Sequence, residues 1–338
     1  HMMSKSELGR ETQNAKSFVE TDPPTGDIRP IAEFEAMDAV IVTYMSGWGG
    51  GYFGIPAELI AALSETVTVI TLVDDASQES DVMDYYTTNG VNTSNCEFSY
   101  IPRDSYWSRD YSPWFIAVDN EVSIINFPYN RDRPNDNDVP VNFADAYGYN
   151  LYGMNVTHTG GNFMCDGVAA AASTELVEEE NSLSTAQINE KFENYMGITN
   201  YHIVNDPQGE YIKHVDCWAK FLDVDKVLVA QVPTDDPQYD EYEAAANYFA
   251  TTPSSYGNNY EVYRVYSPNG QPYTNSLILN DHVFVPIIDG TGSSWNDDAL
   301  TVYEEAMPGY TVTVFLPGSA GWESTDALHC RTHEVPDR

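Results

Sequence analysis

Residues 38–45, DAVIVTYM, precede IPAELIAALSE at 55–65 and TVTVITLV at 66–73, and these three stretches decide the fold class. The first and third are short, β-branched apolar runs of the kind that form buried strands. Between them Ile55, Leu59 and Leu63 recur every four residues, the spacing of one helical face. QESDVMDYYTTNG (78–90) continues as a helix stopped by Gly90, and CEFSYIP (96–102) as a strand. The order β, α, β, α, β argues an α/β architecture.

The alternation returns downstream. STAQINEKFENYMG (184–197) predicts a helix with a Ser cap and a Gly stop, and DKVLVAQVP (225–233) a strand. QYDEYEAAANYFATT (238–252) predicts a helix, followed by strand sequence in YEVYRVYS (260–267) and SLILNDHVFVPII (276–288). NDDALTVYEEAMPG (296–309) and YTVTVFLPG (310–318) supply a last helix and strand. No phosphate loop of GxGxxG or Walker form follows any strand, which disfavours a nucleotide-binding fold. The glycine-rich SGWGGGYFG (46–54) lacks that spacing too.

At 338 residues, 42% apolar and 13% aromatic, the chain has a globular composition and enough length for a substantial core. Residues 1–26 are polar and end in TDPPTG, a lead-in expected to be flexible, so the main domain is expected to run from 27 to 338. The opening HMM has the look of a cloning remnant ahead of a start codon, and the location of the native protein is not decided by it. Lys and Arg number 15 against 52 Asp and Glu, a net charge of −37. Such a surface repels nucleic acid and anionic membranes, keeps the protein dissolved, and draws in cationic ligands at low ionic strength. No apolar run reaches the length of a membrane-spanning helix. Cys96, Cys165, Cys217 and Cys330 are widely spaced without a CxxC pair, against a zinc ribbon or a disulfide scaffold.

Three stretches set ionisable residues beside strand-like sequence: YWSRDYSPWF (106–115), GEYIKHVDCWAKF (209–221) and TDALHCRTH (325–333). On an extended segment His214 and Asp216, two apart, would share a face, and Asp110 would add a carboxylate from another strand end. A thiolate is a strong nucleophile, and a histidine moves protons near neutral pH. Two buried carboxylates call for a cation between them, and a planar, permanently charged guanidinium fits. Other readings stay open at this level. Asp110 can pair with Arg109, His214 can be a core histidine, and Cys217 suits burial better than reactivity. His329, Cys330 and His333 can ligate a metal with His214 and Asp216, although no HExxH framework accompanies them. RPNDNDVPVNFAD (133–145) lacks the glycine and glutamate of a calcium loop.

SYWSRDYSPWF, YNRDRPND, HTGGNFMCDG, GEYIKHVDCWAKF, QPYTNSLILN and TDALHCRTHEV, in this order from about residue 27 to 335, resemble the Porphyromonas-type peptidylarginine deiminases. These are a branch of the agmatine deiminase family within the guanidino-group modifying superfamily. The resemblance implies the pentein fold, a pseudo-fivefold α/β propeller of repeated strand-helix modules with its site on the central axis. It implies Cys330 as nucleophile, His214 as general acid/base, Asp110 and Asp216 as guanidinium carboxylates and Asn275 as a supporting polar residue. Trp107, Tyr211 and Ile212 match pocket-lining positions, and Thr325 one near the nucleophile. Arg131 and Arg133 match arginines that bind a C-terminal carboxylate, unless they only pair with Asp132, Asp136 or Asp138. Thr159 before Gly160 and Gly161 replaces the glutamate of many agmatine deiminases, and the glycine-rich turn at 46–52 looks like an insertion. The immunoglobulin-like domain that follows the catalytic domain in relatives is expected to be absent.

The implied activity is metal-independent hydrolysis of peptidyl arginine, preferably C-terminal, to citrulline and ammonia through a thiouronium intermediate, with no cofactor. The alternatives are a deiminase of free arginine or agmatine, and a non-catalytic binder of cationic peptides. The expected partners are arginine-containing peptides, with neither nucleic acid nor membrane, for a protein expected to be monomeric and secreted or in the cell envelope.

Overall fold

The computed structural model describes residues 18–46, 52–288, 293–319 and 321–338. In chain order these residues form β1 (Ile28–Pro30), β2 (Met37–Thr43), α1 (Ala57–Thr66), β3 (Thr68–Val73), α2 (Ala76–Thr88), β4 (Cys96–Tyr100) and α3 (Ser108–Tyr111). Next come β5 (Trp114–Val118), β6 (Glu121–Asn126), α4 (Pro134–Asn137), α5 (Val139–Tyr147), β7 (Asn150–Gly153), β8 (Met164–Cys165), β9 (Ala170–Thr174), α6 (Leu176–Glu179) and α7 (Thr185–Met196). The chain continues through β10 (Asn200–Val204), β11 (Ala219–Asp223), β12 (Lys226–Gln231), α8 (Tyr239–Ala250) and β13 (Glu261–Tyr266). It ends with β14 (Leu277–Leu279), β15 (His282–Pro286), α9 (Ser293–Ala306), β16 (Thr311–Phe315) and β17 (His333–Pro336).

Five small sheets result, and each repeats one plan. A strand pairs antiparallel with a central strand, a helical crossover follows, and the next strand returns parallel to the central one. Thus β11-β12-α8-β13 has the same build as β5-β6-α5-β7, β8-β9-α7-β10 and β14-β15-α9-β16. The fifth sheet, centred on β2 and β3, takes its antiparallel strand from the far end of the chain, because β17 pairs with β2. The two ends of the domain are therefore joined, and the ring closes. This is the α/β class read from the alternating elements and the pseudo-fivefold arrangement that the resemblance implied.

The helices form for local reasons. α7 has Ser184 and Gln187 in a reciprocal capping box and ends at Gly197, whose φ of 70° suits a residue without Cβ. Its Ile188, Phe192, Tyr195 and Met196 are buried at helical spacing in a core shared by strands of its own module and by β5 and β6. α8 does the same with Tyr242, Ala245, Ala246 and Phe249. Central strands such as β2 and β3 are buried along nearly their whole length, as expected of strands covered on both faces. Burying a side chain of this size contributes about 1.5–3 kcal/mol.

One expectation changes. The stretch 276–288, read as continuous strand sequence, is a hairpin, because Asn280 adopts φ 54° and turns the chain between β14 and β15. The acid-rich segment 133–145 forms α4 and most of α5. Most of the glycine-rich turn at 46–54 and residues 1–17 lie outside the described residues. The end of the lead-in runs along β7, with the Thr21 N–H donating to Gly153 O at 3.1 Å.

Candidate active site

The fivefold plan explains how residues far apart in sequence meet. In each module the segment just before the first antiparallel strand bends tightly and carries one residue of interest. Asp110 lies in α3, four residues before Trp114, and Gly161 in the 3₁₀ turn Gly160–Asn162 before β8. Asp216 lies in the 3₁₀ turn Val215–Cys217 before β11, and Asn275 two residues before Leu277. Cys330 lies in the 3₁₀ turn His329–Arg331 before β17. Quasi-equivalent turns on five modules thus converge. The extended geometry expected around His214 and Asp216 is corrected: only His214 is extended, while Asp216 sits in the 3₁₀ turn. Asp110 likewise comes from a short helix, not from a strand end.

Cys330 is fully buried. Asn275 Nδ2 stands 3.2 Å from its Sγ, and Asn275 Oδ1 accepts from the N–H groups of Ala327, His329 and Cys330 at 2.9, 3.1 and 3.3 Å. One amide side chain therefore both holds the cysteine turn and touches the sulfur. Asp216 Oδ2 lies 3.5 Å from the same sulfur and Asp326 Oδ1 3.4 Å from it. Burial, reinforced by Asp216, Asp326 and Asp110, pushes the Cys330 thiol well above its ordinary pKa.

His214 is fully buried, with Nδ1 3.6 Å from Asp110 Oδ1. Burial lowers its pKa to about 3 against the pull of Asp216, so the imidazole is neutral. Asp110 accepts from the Gly161 N–H at 3.2 Å. Burial and the Asp216 charge raise its pKa to about 8, against Arg131. Asp216 moves the other way. Burial alone would raise it, but the His329 hydrogen bond at 2.7 Å and the nearby positive charges hold it below the usual carboxylate range. Gly161 has to be a glycine: a Cβ there would lie 2.5 Å from His214 Nδ1 and 2.8 Å from Asp110 Oδ1.

Beneath these groups runs a charged network that the sequence reading did not anticipate. His329 Nε2 lies 3.1 Å from Glu33 Oε2, which also pairs with Lys220 at 2.7 Å. Arg109 pairs with Glu334 at 2.5 Å, so it is not the partner of Asp110. His333 Nε2 lies 2.8 Å from Pro113 O. The metal set proposed around His329, Cys330, His333, His214 and Asp216 is therefore not assembled, because both His329 nitrogens are committed to carboxylates and His333 points to a backbone carbonyl. The adjacency of Arg109 to Asp110, and of His329 to Cys330, was the available signal for this network.

The remaining candidates sit around the site. Tyr211 is 56% exposed, with the Arg131 guanidinium 5.7 Å from its ring centroid. Ile212 is buried, and Lys213 between it and His214 takes φ 46°, a turn that sets Tyr211 outward and His214 inward. Trp107 is buried with its ring 5.1 Å from the Arg331 guanidinium. Thr325 is buried and accepts from Gln208 Nε2 at 3.1 Å. Arg131 lies 3.9 Å from Glu180, and Arg133 is buried near enough to Asp136 to oppose the rise of that carboxyl, which burial lifts to about 7. Arg131 is thus paired with Glu180, a partner the sequence did not suggest, while the Arg133 charge is felt at Asp136. Cys217, read as a buried cysteine, is buried and also adjoins the site: its Sγ lies 3.2 Å from Asp326 Oδ1.

The chain is similar in sequence and in fold to known proteins. A Vibrio parahaemolyticus protein named "Putative agmatine deiminase" is 25% identical over 282 residues, 70% of this chain and 77% of the relative. The crystallised agmatine deiminase of Enterococcus faecalis superposes with a TM-score of 0.76 at 18% identity, over 94% of this chain and 100% of that one. An agmatine deiminase of C. jejuni gives 0.73 at 15% identity, over 92% and 97%. The family model for Porphyromonas-type peptidyl-arginine deiminases matches residues 30–336. With that match over nearly the whole chain, and with the five-module fold of its solved relatives, the protein belongs to the Porphyromonas-type peptidyl-arginine deiminase family of guanidino-modifying hydrolases.

Proposed function

We propose that the protein deiminates arginine at the C-terminus of peptides, releasing ammonia and leaving citrulline. The observation that carries this reading is the position of Arg131: it stacks near Tyr211 at the rim, and its charge reaches both Asp110 and His214. A guanidinium whose charge is felt at the carboxylates complements a substrate with a cation at one end and a carboxylate at the other. Arg133 stands close by and adds to the positive field felt by Tyr211. Agmatine, which lacks the carboxylate and ends in an ammonium, is repelled by the same pair. The large exposed face of Tyr211 offers room for residues preceding the arginine.

The chemistry follows from the protonation states. In the free site Cys330 is a thiol, His214 is neutral and Asp110 holds a proton, while Asp216 is ionised. Arrival of the guanidinium expels the Asp110 proton, and the two carboxylates clamp the cation in charge-assisted hydrogen bonds. Because His214 is not a cation beforehand, the positive charge that favours the thiolate comes from the substrate. His214 accepts the thiol proton, the sulfur adds to the central guanidinium carbon, and His214 returns the proton to the departing nitrogen, which leaves as ammonia. Water, deprotonated by His214, then adds to the thiouronium carbon. Collapse expels the Cys330 thiolate, which takes back the proton from His214, while the hydroxyl proton passes to solvent and the ureido group of citrulline remains.

The test is colorimetric detection of citrulline, with ammonia measured in parallel, on a peptide ending in arginine, on free arginine and on agmatine, using the wild type and Cys330→Ala. The reading expects turnover of the peptide, little of agmatine, and none by the variant. Agmatine turned over faster than the peptide would overturn it in favour of the family's small-molecule activity, and no product from any substrate would favour a binding protein.

A further inference from the structure

Beside the nucleophile stands a second thiol that the reaction does not use. Cys217, in the 3₁₀ turn of another module, is 1% exposed, and one ligand atom from each of Asp216, Cys217 and Cys330 lies within 4.8 Å of the others. Asp326 closes the group. Its Oδ1 lies 3.2 Å from Cys217 Sγ and 3.4 Å from Cys330 Sγ, while Asp216 Oδ2 is 3.5 Å from Cys330 Sγ and Asp216 Oδ1 3.6 Å from Cys217 Sγ. A tetrahedral zinc site has metal–sulfur bonds of about 2.3 Å and metal–oxygen bonds of about 2.0–2.2 Å, which place sulfur and oxygen about 3.5 Å apart. Asp326 Oδ1 stands close to that distance from both sulfurs, and Asp216 does so with one oxygen toward each.

We propose that Cys217, Cys330, Asp216 and Asp326 form a site for a soft divalent cation such as zinc, which on binding withdraws the nucleophile and blocks turnover reversibly. The donor set suits such an ion: two thiolates favour zinc over magnesium or calcium, and two carboxylates complete four-coordination. The sulfurs bind as thiolates, their protons passing to solvent. The His329 ring, 2.7 Å from Asp216 Oδ2, braces one carboxylate ligand in the manner of an outer-shell histidine–carboxylate pair.

Access is provided from the side of Cys217. A cavity of about 390 Å³ is lined by Cys217 and Thr325, and Glu210, Asp235 and Asp236 also line it. Those carboxylates give a passage that favours cations. The substrate cation and the metal ion compete for Asp216 and Cys330, but only the metal ion engages Cys217. Metal binding is therefore separable from catalysis by changing Cys217.

The experiment is titration of the reduced, metal-free chain with cobalt(II) under anaerobic conditions, followed by absorption, together with zinc inhibition of citrulline formation. The spectra need no substrate, so they test the site even if the proposed substrate is wrong. One equivalent of cobalt is expected to give a thiolate charge-transfer band and the intense visible bands of tetrahedral cobalt. Cys217→Ser is expected to lose about half of the charge-transfer intensity, to turn over metal-free at close to the wild-type rate, and to need at least about tenfold more zinc for half inhibition. Asp326→Asn, read by the cobalt spectrum alone, is expected to weaken binding too and serves where Cys217→Ser does not fold. No thiolate band in the wild type, or bands and zinc sensitivity unchanged in the variants, would overturn the proposal.

Discussion

His329 Nδ1 lies 2.7 Å from Asp216 Oδ2, so the residue next to Cys330 in sequence braces, from a different module, the carboxylate proposed to hold the substrate cation. Through Nε2 the same ring reaches Glu33, itself held by Lys220. One imidazole thus links the site to the charged layer beneath it. Removing it in His329→Ala is expected to lower kcat/KM by about tenfold or more, the equivalent of one pKa unit in a buried carboxylate. His329→Gln, which can still donate to Asp216, is expected to recover part of that loss. Steady-state kinetics of the two variants check this, and equal losses would show that the ring acts only by filling space.

Asp110 titrates in a range where assays are run. Its carboxyl is raised to about 8 in the empty site, so the free enzyme must release a proton to bind a guanidinium. kcat/KM is therefore expected to climb as pH rises toward about 8 and then level, and a profile flat from pH 6 to 9 would contradict the assignment.

The same shift has a consequence for stability. A carboxyl raised in the folded state contributes stability at pH below its ordinary value of 3.8 and loses it as pH rises through about 8. Asp110→Asn, which never ionises, is expected to match the wild type in thermal stability near pH 4 and to exceed it increasingly up to pH 9. The gap should reach the order of a few kcal/mol. Turnover should fall by at least about a hundredfold in the same variant, because one arm of the clamp is gone. Melting curves across pH, paired with citrulline assays, distinguish a functional carboxylate from a structural one.

Gly161 is expected to be intolerant of any side chain. An added Cβ meets His214 Nδ1 at 2.5 Å and Asp110 Oδ1 at 2.8 Å, both buried groups with little room to retreat. Gly161→Ala should keep the fold at a cost of about 1–3 kcal/mol while losing most activity. Circular dichroism and kcat together check it, and unchanged kcat would mean that His214 and Asp110 are not both needed in place.

Much of this was legible in the sequence, for identifiable reasons. Ser184, Gln187 and Gly197 bound a helix by local hydrogen bonding, and the apolar runs of β2 and β3 declare strands buried on both faces. Asn280 was not read as a turn because its positive φ interrupts a run that is apolar on either side. The closure of the ring by β17 on β2 joins residues nearly 300 apart, which no local pattern encodes. At the site, Asp110, His214, Asp216, Asn275 and Cys330 were nameable from motifs. Their tight turns were not, since a 3₁₀ turn of three residues has no period to detect. The pairing of Cys217 with Cys330 through Asp326 escaped for a similar reason: it depends on two modules meeting at the axis.

The proposed function pairs a cation-holding clamp at Asp110 and Asp216 with a carboxylate-binding rim at Arg131 and Arg133. The most direct measurement compares kcat/KM for citrulline formation on one peptide ending in arginine, as the free acid and as the C-terminal amide, with the wild type and with Arg131→Ala. The account predicts a preference of at least about tenfold for the free acid, the worth of one charge-assisted hydrogen-bond pair, and its collapse in the variant. Equal turnover of acid and amide by the wild type would contradict it.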